Sequence, residues 1–254
     1  MSLFRGAFFF KSVASLDDVP ASTGEIAFAG RSNAGKSSAI NTLTRRRLAF
    51  VSKTPGRTQL INYYSLGAER FIVDLPGYGY SKVPDAIRAP WEKLLGGYLQ
   101  TREPLRGLAL IMDVRHPLTD LDQRMLDWFC PTGRPVHVLL TKADKLSREA
   151  GQNILRRVEK DIATLTPNAS VQLFSSLKKS GVEQATAAFQ KWLDPSVPAR
   201  LGSSQAEGTP DEIRSPENKT PGPKGEISPG QNALRFKAAR SGRRSGRRPK
   251  PPTA

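Results

Sequence analysis

Short apolar runs alternate with stretches of helical periodicity between Glu25 and Leu193. The apolar, β-rich runs predict six strands, at 25–30, 59–66, 70–76, 107–114, 135–142 and 170–176. The helical periodicity predicts five helices, at 36–46, 85–102, 118–130, 147–165 and 181–193, with helix starts at Thr119 and Ser147. Strands that alternate with helices in this way are typical of a three-layer α/β domain, and we expect a mainly parallel six-stranded sheet.

The character of the chain changes after Trp192. The residues from 196 to 254 are rich in Pro, Gly, Ser and Glu and lack periodic apolar positions, which predicts a disordered tail that can form at most a short helix around 233–239 on binding. The tail ends in a basic segment without acidic residues, whose eight positive charges are Arg235, Lys237, Arg240, Arg243, Arg244, Arg247, Arg248 and Lys250. Such a segment either neutralises RNA phosphates without reading sequence or only solubilises the chain.

Composition narrows the class of protein. A formal net charge of +16 favours a polyanionic partner, nucleic acid above all. The single cysteine, Cys130, excludes an internal disulfide framework, which fits a reducing compartment. The apolar start of the chain is interrupted by Arg5 and lacks the features of a signal peptide, and no run approaches the roughly 18 apolar residues of a membrane span. We therefore expect a soluble, cytoplasmic protein with one core.

A glycine-rich segment follows the first predicted strand and leads into the first predicted helix. It satisfies the pattern G-x-x-x-x-G-K-[ST] with Gly30, Arg31, Ser32, Asn33, Ala34, Gly35, Lys36 and Ser37. The glycines let backbone N–H groups surround phosphate oxygens, Lys36 neutralises phosphate charge, and the Ser37 hydroxyl is a ligand for Mg²⁺. A simple strand-to-helix turn is the alternative, but the motif and its placement together favour a phosphate loop.

The end of the third predicted strand carries a second motif, which contains an acidic residue. Asp74 lies at the strand end and Gly77 follows three residues later, so that the carboxylate can hold Mg²⁺ through water and the Gly77 N–H can meet the γ-phosphate. The pattern D-x-x-G is also a common turn. Its position two strands after the phosphate loop favours the nucleotide interpretation.

The last two predicted strands end in residues suited to guanine. In the sequence TKAD, Thr141 and Lys142 precede Asp144, whose carboxylate can accept hydrogen bonds from guanine N1–H and the N2 amino group, a pair that adenine does not offer. Ser175 and Ser176 follow the last strand, where their N–H groups can contact guanine O6. In isolation the first motif would be a helix start capped by Asp144, and the second a serine-rich turn.

These motifs stand in the order of a Ras-like GTPase domain, each at the carboxyl end of a strand. With GRSNAGKSS, SKTPGRTQLIN, DLPGYGYSKV, TKADKL and SSLKKSG, the chain resembles the EngB (YihA/YsxC) family of bacterial P-loop GTPases of the translation-factor-like branch, from about Phe9 to Trp192. The resemblance implies a role in assembly of the large ribosomal subunit and in normal cell division and septation. We expect a lead-in at 1–23, a GTPase domain at 24–195 and the tail at 196–254.

The resemblance also implies roles for further residues. Thr58, on a loop that could otherwise be a plain turn, would join Ser37 as a Mg²⁺ ligand, and the hydrolytic set would be Asn33, Lys36, Thr58 and Gly77. Lys53 and Arg57 either contact phosphate or RNA or are merely solvated. The remaining residues expected around GTP or GDP are Gly56, Arg57, Gln59, Leu60, Leu75, Pro76, Ala143 and Phe174.

One position departs from the pattern of many GTPases. Tyr78 follows Gly77 where those enzymes carry the glutamine that orients the attacking water, so we expect slow intrinsic hydrolysis that a partner or an ion accelerates. Asn33 resembles the asparagine of potassium-activated GTPases, which makes K⁺ a candidate ion, although Asn33 could simply shape the loop. Tyr78 and Tyr80 could stack on RNA or pack under the loop.

We expect a monomer that binds GTP or GDP and the large ribosomal subunit or its RNA. Two other functions stay open at this point. One is a division-linked regulatory GTPase that acts on protein partners, and the other is an RNA-binding module without turnover.

Overall fold

The computed structural model describes residues 3–49, 60–78, 85–194 and 196, with the backbone alone for 85–92. The strands are β1 (Phe8–Val13), β2 (Gly24–Gly30), β3 (Ile61–Gly67), β4 (Arg70–Asp74), β5 (Leu105–Asp113), β6 (Val136–Thr141) and β7 (Ala169–Leu173). The helices are α1 (Lys36–Thr44), α2 (Asp85–Thr101), α3 (Asp120–Phe129), α4 (Arg148–Ala163) and α5 (Val182–Trp192). The predicted tail beyond residue 196 lies outside the described residues, as does Tyr80.

The described strands form one sheet in the order β1-β3-β4-β2-β5-β6-β7. β3 runs antiparallel to both of its neighbours, β1 and β4, whereas the pairs β4–β2, β2–β5, β5–β6 and β6–β7 are parallel. The architecture is therefore the expected α/β fold with a mainly parallel sheet.

The expected count of six strands is wrong, because β1 adds a seventh from inside the predicted lead-in. It pairs with β3, and there the Ser12 hydroxyl donates a 2.6 Å hydrogen bond to the Asn62 side chain. β1 is an edge strand whose consecutive phenylalanines Phe8, Phe9 and Phe10 are each about half exposed. Since these residues do not alternate between apolar and polar, the period-two signal of a half-buried strand is missing.

The central strands are buried on both faces by the helices. β2 and β6 are buried along their whole lengths, as expected for parallel strands with helices on each side. Two of those helices begin at the predicted caps: the Ser147 hydroxyl accepts a 3.2 Å bond from Ala150 N–H, and Thr119 precedes α3. Within the described part of the chain, no helix is both long enough and apolar enough to span a membrane.

The beginning and the end of the domain meet in one of two hydrophobic clusters. Phe4, in a short 3₁₀ helix at Leu3–Gly6, is fully buried, and its ring centroid lies 6.3 Å from that of Phe189 in α5. Phe189 also packs edge-on against Phe28 of β2 at 5.4 Å. This cluster supports the face of the sheet on which α1 and α5 lie, and so fixes the strand that leads into the glycine-rich segment.

Candidate functional site

The glycine-rich segment forms a concave turn between β2 and α1. Asn33 and Gly35 both have left-handed backbones, with φ of 61° and 109°. Such departures from right-handed geometry turn successive N–H groups toward a common centre, which is the arrangement that binds phosphate. Gly30 is needed for a different reason: a Cβ there would lie 2.7 Å from the carbonyl oxygen of Ile111 in β5.

Lys36 and Asp74 lie together at the edge of this turn. The Lys36 ammonium contacts the Asp74 carboxylate, and their side chains are only 12% and 8% exposed. Asp74 is brought there because β4 pairs with β2 in parallel, with Asp74 beside Phe28. Ser37 follows Lys36 in the first turn of α1, is partly exposed and lines the same depression as Lys36 and Asp74.

The segment after β4 lies against the phosphate loop. The Ser32 N–H donates a 2.8 Å bond to the Tyr78 carbonyl, which extends the pairing of β2 and β4 beyond the strands. The Tyr78 side chain is 5% exposed, and its hydroxyl donates a 2.9 Å bond to the Asp122 carboxylate. Burial, with the nearby Asp122 charge, holds the pKa of Tyr78 well above its ordinary value. Tyr78 therefore packs beneath the segment and is placed neither to orient water nor to stack on RNA.

Lys142 connects the motif for the base with the phosphate loop. Its backbone is left-handed, with φ of 59°, and its ammonium donates bonds of 2.6 Å to the Asn33 carbonyl and 2.9 Å to the Asp113 carboxylate. The neighbouring Thr141 hydroxyl contacts the Ala34 carbonyl. Both side chains reach the loop because β6 lies next to β5, which lies next to β2.

Asp113 is a site residue that the sequence reasoning missed. Its carboxylate also accepts a 2.6 Å bond from Arg115. Burial alone would raise the pKa of Asp113, but the hydrogen bonds from Arg115 and Lys142 outweigh it and lower the pKa. The available signal was an acidic residue at the carboxyl end of an otherwise apolar strand, the same signal that identified Asp74.

Asp144 and Ser175 lie side by side, but the Ser175 N–H that the sequence prediction gives to guanine O6 donates instead a 3.1 Å bond to the Ser180 carbonyl. The Ser175 hydroxyl donates to the Asp144 carboxylate, which is the main reason that the pKa of Asp144 is lowered. The adjoining Phe174 contributes through its backbone, whose carbonyl accepts a 3.2 Å bond from Ala143 N–H, whereas its side chain is fully buried. Ser176 is half-buried beside Ser175.

A depression of about 530 Å³ brings most of the phosphate-side residues together. The predicted residues that line it are Arg31, Ser32, Asn33, Gly35, Lys36, Ser37, Asp74, Leu75, Pro76, Gly77 and Lys142. Ser12, Asn62 and Phe9 line its far side and were not predicted. The depression is not lined by the predicted residues Gly30, Ala34, Thr141, Asp144 and Ser175. Of these, Thr141 contacts the Ala34 carbonyl of the loop.

Part of the predicted site lies outside the described residues. Gly56, Arg57, Thr58 and Gln59, like Lys53, lie outside the described residues, and Leu60 is exposed at the edge of the described chain. No cluster of three or more His, Cys, Asp or Glu side chains suited to a metal occurs among the residues that the structure describes. A magnesium site here would therefore depend on hydroxyl and phosphate oxygens, with Asp74 nearby.

Comparison with known sequences identifies relatives over nearly the whole domain. A family model described as 50S ribosome-binding GTPase matches residues 25–142. A probable GTP-binding protein EngB from Methylobacillus flagellatus is 59% identical over 195 residues, which cover 76% of this chain and 94% of the relative. The corresponding protein of Dechloromonas aromatica is 55% identical over 234 residues, covering 91% and 98%.

Solved structures agree on the fold. A crystal structure of a probable GTP-binding protein EngB matches with a TM-score of 0.54 at 19% identity, covering 67% of this chain and 98% of that one. Era in complex with MgGDPNP and a fragment of 16S ribosomal RNA matches with a TM-score of 0.52 at 22% identity, covering 70% and 59%. With the phosphate loop described above, the sequence relatives at 55–59% identity show that the chain belongs to the EngB family of P-loop GTPases.

Proposed function

We propose that this GTPase is a slow guanine-nucleotide switch that acts in assembly of the large ribosomal subunit. The observation that carries the nucleotide part is the contact of Lys142 with the Asn33 carbonyl, because it couples the residues for guanine to the loop for phosphate in one site. The family description as 50S ribosome-binding and the net charge of +16 support the ribosomal part. Era, a structural neighbour, is solved with ribosomal RNA.

The described residues suggest how bound GTP would change the ion pair between Lys36 and Asp74. The Lys36 ammonium contacts the Asp74 carboxylate. The β- and γ-phosphates would offer Lys36 a new partner and leave Asp74 free to accept hydrogen bonds from water. Electrostatic positioning of this kind is the main contribution of a protein to phosphoryl transfer.

Magnesium fits this site. Ser37 and Thr58 would hold Mg²⁺ directly and Asp74 would hold it through water, so that the ion neutralises charge on the β- and γ-phosphates. Asn33 adds a further candidate for K⁺, which would make hydrolysis faster in KCl than in NaCl at matched ionic strength. Equal rates in the two salts would contradict the role of K⁺.

Slow turnover follows from Tyr78. The burial of Tyr78 and the bond from its hydroxyl to Asp122 support this, because they direct the side chain away from the position of an attacking water. We therefore propose that a partner supplies the acceleration. A role in cell division and septation rests on the family resemblance alone.

The first test measures binding of fluorescent GDP, GTP and ATP analogues to the wild type and to Asp144→Ala in the presence of Mg²⁺. We expect guanine-selective binding by the wild type and its loss in the variant, because a carboxylate that matches two guanine donors is removed. ATP binding equal to that of GTP would contradict the guanine assignment.

The second test addresses the ribosome. Large-subunit particles are sedimented with the full chain in the presence of GDP or a non-hydrolysable GTP analogue. We expect co-sedimentation that depends on the nucleotide, since only the triphosphate can hold Gly77 and Thr58 in one arrangement. The absence of the protein from the particles with either nucleotide would overturn the ribosomal part of the proposal.

A further inference from the structure

A second depression opens on the described surface at the end of α1 that lies away from the phosphate loop. Its volume is about 880 Å³, and its charged lining residues are Arg45, Arg46, Arg47, Lys179 and Glu183. We name it the arginine-turn groove, after Arg45–Arg47 at the end of α1. Four cationic side chains face one carboxylate there, so the groove is basic.

The turn that carries the three arginines is held in one shape. Arg45 ends α1 with a left-handed backbone, with φ of 54°. The Asn41 side chain then ties down the chain beyond the turn: its Oδ1 accepts bonds of 2.8 Å from the N–H groups of Leu48 and Ala49, and its Nδ2 donates to the Ala49 carbonyl at 2.8 Å. Because the backbone is already ordered, a ligand that binds the arginines does not have to pay for ordering it.

The opposite wall is also fixed. Lys179 has a left-handed backbone with φ of 55°, in a loop that the Ser175 N–H closes with a 3.1 Å bond to the Ser180 carbonyl. Gly181 follows with φ of 78°, and a Cβ there would lie 2.4 Å from the Leu173 carbonyl oxygen. The position of Lys179 relative to the sheet is therefore set by the backbone.

The cations of the groove are available to a ligand. Arg45, Arg47 and Lys179 are exposed, and no ion pair among the described residues engages them. Arg46 donates one 3.2 Å bond to the Ala7 carbonyl, which satisfies one N–H of its guanidinium and leaves its charge without a counter-ion among these residues. The groove thus holds more positive charge than the described residues neutralise.

We propose that the arginine-turn groove binds the phosphate backbone of RNA. Arginine presents a planar fork that matches phosphate oxygens, and Asn41, Thr42 and Gln184 add neutral hydrogen-bonding groups beside it. Contacts of this kind position a protein on RNA without reading its sequence. The choice of RNA as the polyanion rests on the proposed function in ribosome assembly.

The lining of the groove favours RNA over an acidic protein segment. Protein interfaces concentrate their binding energy in buried aromatic and apolar anchors. Here Val182 is the apolar side chain among the lining residues, and it is half-buried. A polar, cationic depression without apolar anchors fits a ligand whose whole surface toward the protein is phosphate and sugar.

The groove and the nucleotide site lie at opposite ends of shared elements. Helix α1 begins with Lys36 of the phosphate loop and has 9 residues, so it separates the two sites by about 14 Å. The loop with Lys179 likewise begins at Ser175, which contacts Asp144. Substitutions in the groove should therefore leave nucleotide binding intact, and nucleotide affinity serves as a measure of correct folding.

The test compares Arg45→Gln/Arg47→Gln/Lys179→Gln with a control, Arg156→Gln/Arg157→Gln/Lys160→Gln, which removes the same charge from exposed positions of α4. Both variants keep the full chain, including its basic tail. Binding to purified large-subunit particles, to a fluorescent RNA duplex and to a poly-glutamate peptide is measured across a series of KCl concentrations. Binding of fluorescent GDP is measured in parallel.

We expect the groove variant to lose about tenfold or more in affinity for the RNA duplex in 0.1 M KCl, and its salt slope to fall by about two, because up to three phosphate contacts are removed. The control and GDP binding should stay close to wild type. Equal RNA and particle binding by wild type and groove variant would overturn the groove while leaving the proposed function standing. If the wild type binds the duplex through the groove but does not bind the particles, the groove stands and the proposed ribosomal function is overturned.

Two further outcomes would count against the groove. If poly-glutamate binds the wild type as tightly as the duplex does and both are weakened together, the partner is an acidic protein and the assignment to RNA is wrong. If the wild type binds neither particles nor duplex, the groove and the ribosomal function both fall.

Discussion

The Lys142 ammonium donates a 2.6 Å hydrogen bond to the backbone carbonyl of Asn33, which joins the strand that ends in the guanine motif to the middle of the phosphate loop. The same ammonium is held by Asp113, the acidic residue at the end of the neighbouring strand. Lys142 thus links the carboxyl ends of β5 and β6 to the phosphate loop, which follows the neighbouring strand β2.

Lys142→Ala should weaken GDP and GTP binding equally, by about 10- to 100-fold, because a hydrogen bond from a charged donor contributes about 1.5–3 kcal/mol. Titration with fluorescent GDP and GTP analogues measures the loss. Lys145→Ala, an exposed neighbour, serves as the control. Wild-type affinity in Lys142→Ala would show that the loop keeps its shape without this contact.

Ser175→Ala should lower the affinity for guanine nucleotides and leave the affinity for ATP unchanged, because the serine acts on the carboxylate for the base and not on the phosphate loop. The serine hydroxyl orients the Asp144 carboxylate, and its loss should cost about 1 kcal/mol, or roughly fivefold in Kd. Competition with unlabelled GDP and ATP measures both effects. Ser180→Ala, on the same loop, should bind as the wild type does, and equal losses in both variants would indicate a general disturbance of the loop.

Tyr78→Phe separates a packing role from a catalytic one. Removing the hydroxyl leaves the buried Asp122 carboxylate without one of its donors, which should lower the free energy of unfolding by about 1–3 kcal/mol. Chemical denaturation measures this loss, while the rate of GTP hydrolysis should change by less than about twofold since the hydroxyl takes no part in it. A large fall in hydrolysis at unchanged stability would refute the packing role.

His137 makes the stability of the domain depend on pH. His137 is 2% exposed. Its Nδ1 lies 2.7 Å from the Ser170 hydroxyl oxygen, and its Nε2 lies 2.8 Å from the Gln172 side-chain oxygen. Burial lowers the pKa of His137, although the hydrogen bond with Gln172 opposes this in part. The folded protein therefore takes up a proton less readily than the unfolded chain, and stability falls as the pH drops below about 6.5.

The variant that tests this is His137→Asn, compared with the exposed His116→Asn. Denaturant unfolding at pH of about 7.5 and about 5.5 should show a smaller loss of stability for His137→Asn than for the wild type, because the variant has no buried imidazole to titrate. The control should lose as much as the wild type does. If both variants lose as much stability as the wild type between the two pH values, the pH dependence belongs to other groups.

The parts of the fold that the sequence predicted are those with a local signal. β2 and α1 were found because the glycine pattern marks the junction between them, and Thr119 and Ser147 because helix starts depend on side chains within a few residues. β1 was missed because an edge strand with consecutive phenylalanines carries no period-two pattern, and its partner β3 lies far along the chain.

The candidate site shows the same division. Lys142 and Asp144 were identified from their spacing, but their contacts with Asn33, Asp113 and Ser175 depend on the order of strands in the sheet. No spacing rule relates residues on strands that become neighbours only after folding. The interior bond from Tyr78 to Asp122 was likewise out of reach, because it joins a loop to a helix on a different part of the chain.

The packing of Phe4 against Phe189 bears on how the protein is made. One of these rings belongs to the first turn of the described chain and the other to its last described helix, so this contact can form only after α5 has emerged from the ribosome. Late closure of a core leaves apolar surface open to wrong contacts during translation. Until α5 has been synthesised, the surfaces of Phe4 and Phe28 that pack on Phe189 are therefore open to such contacts.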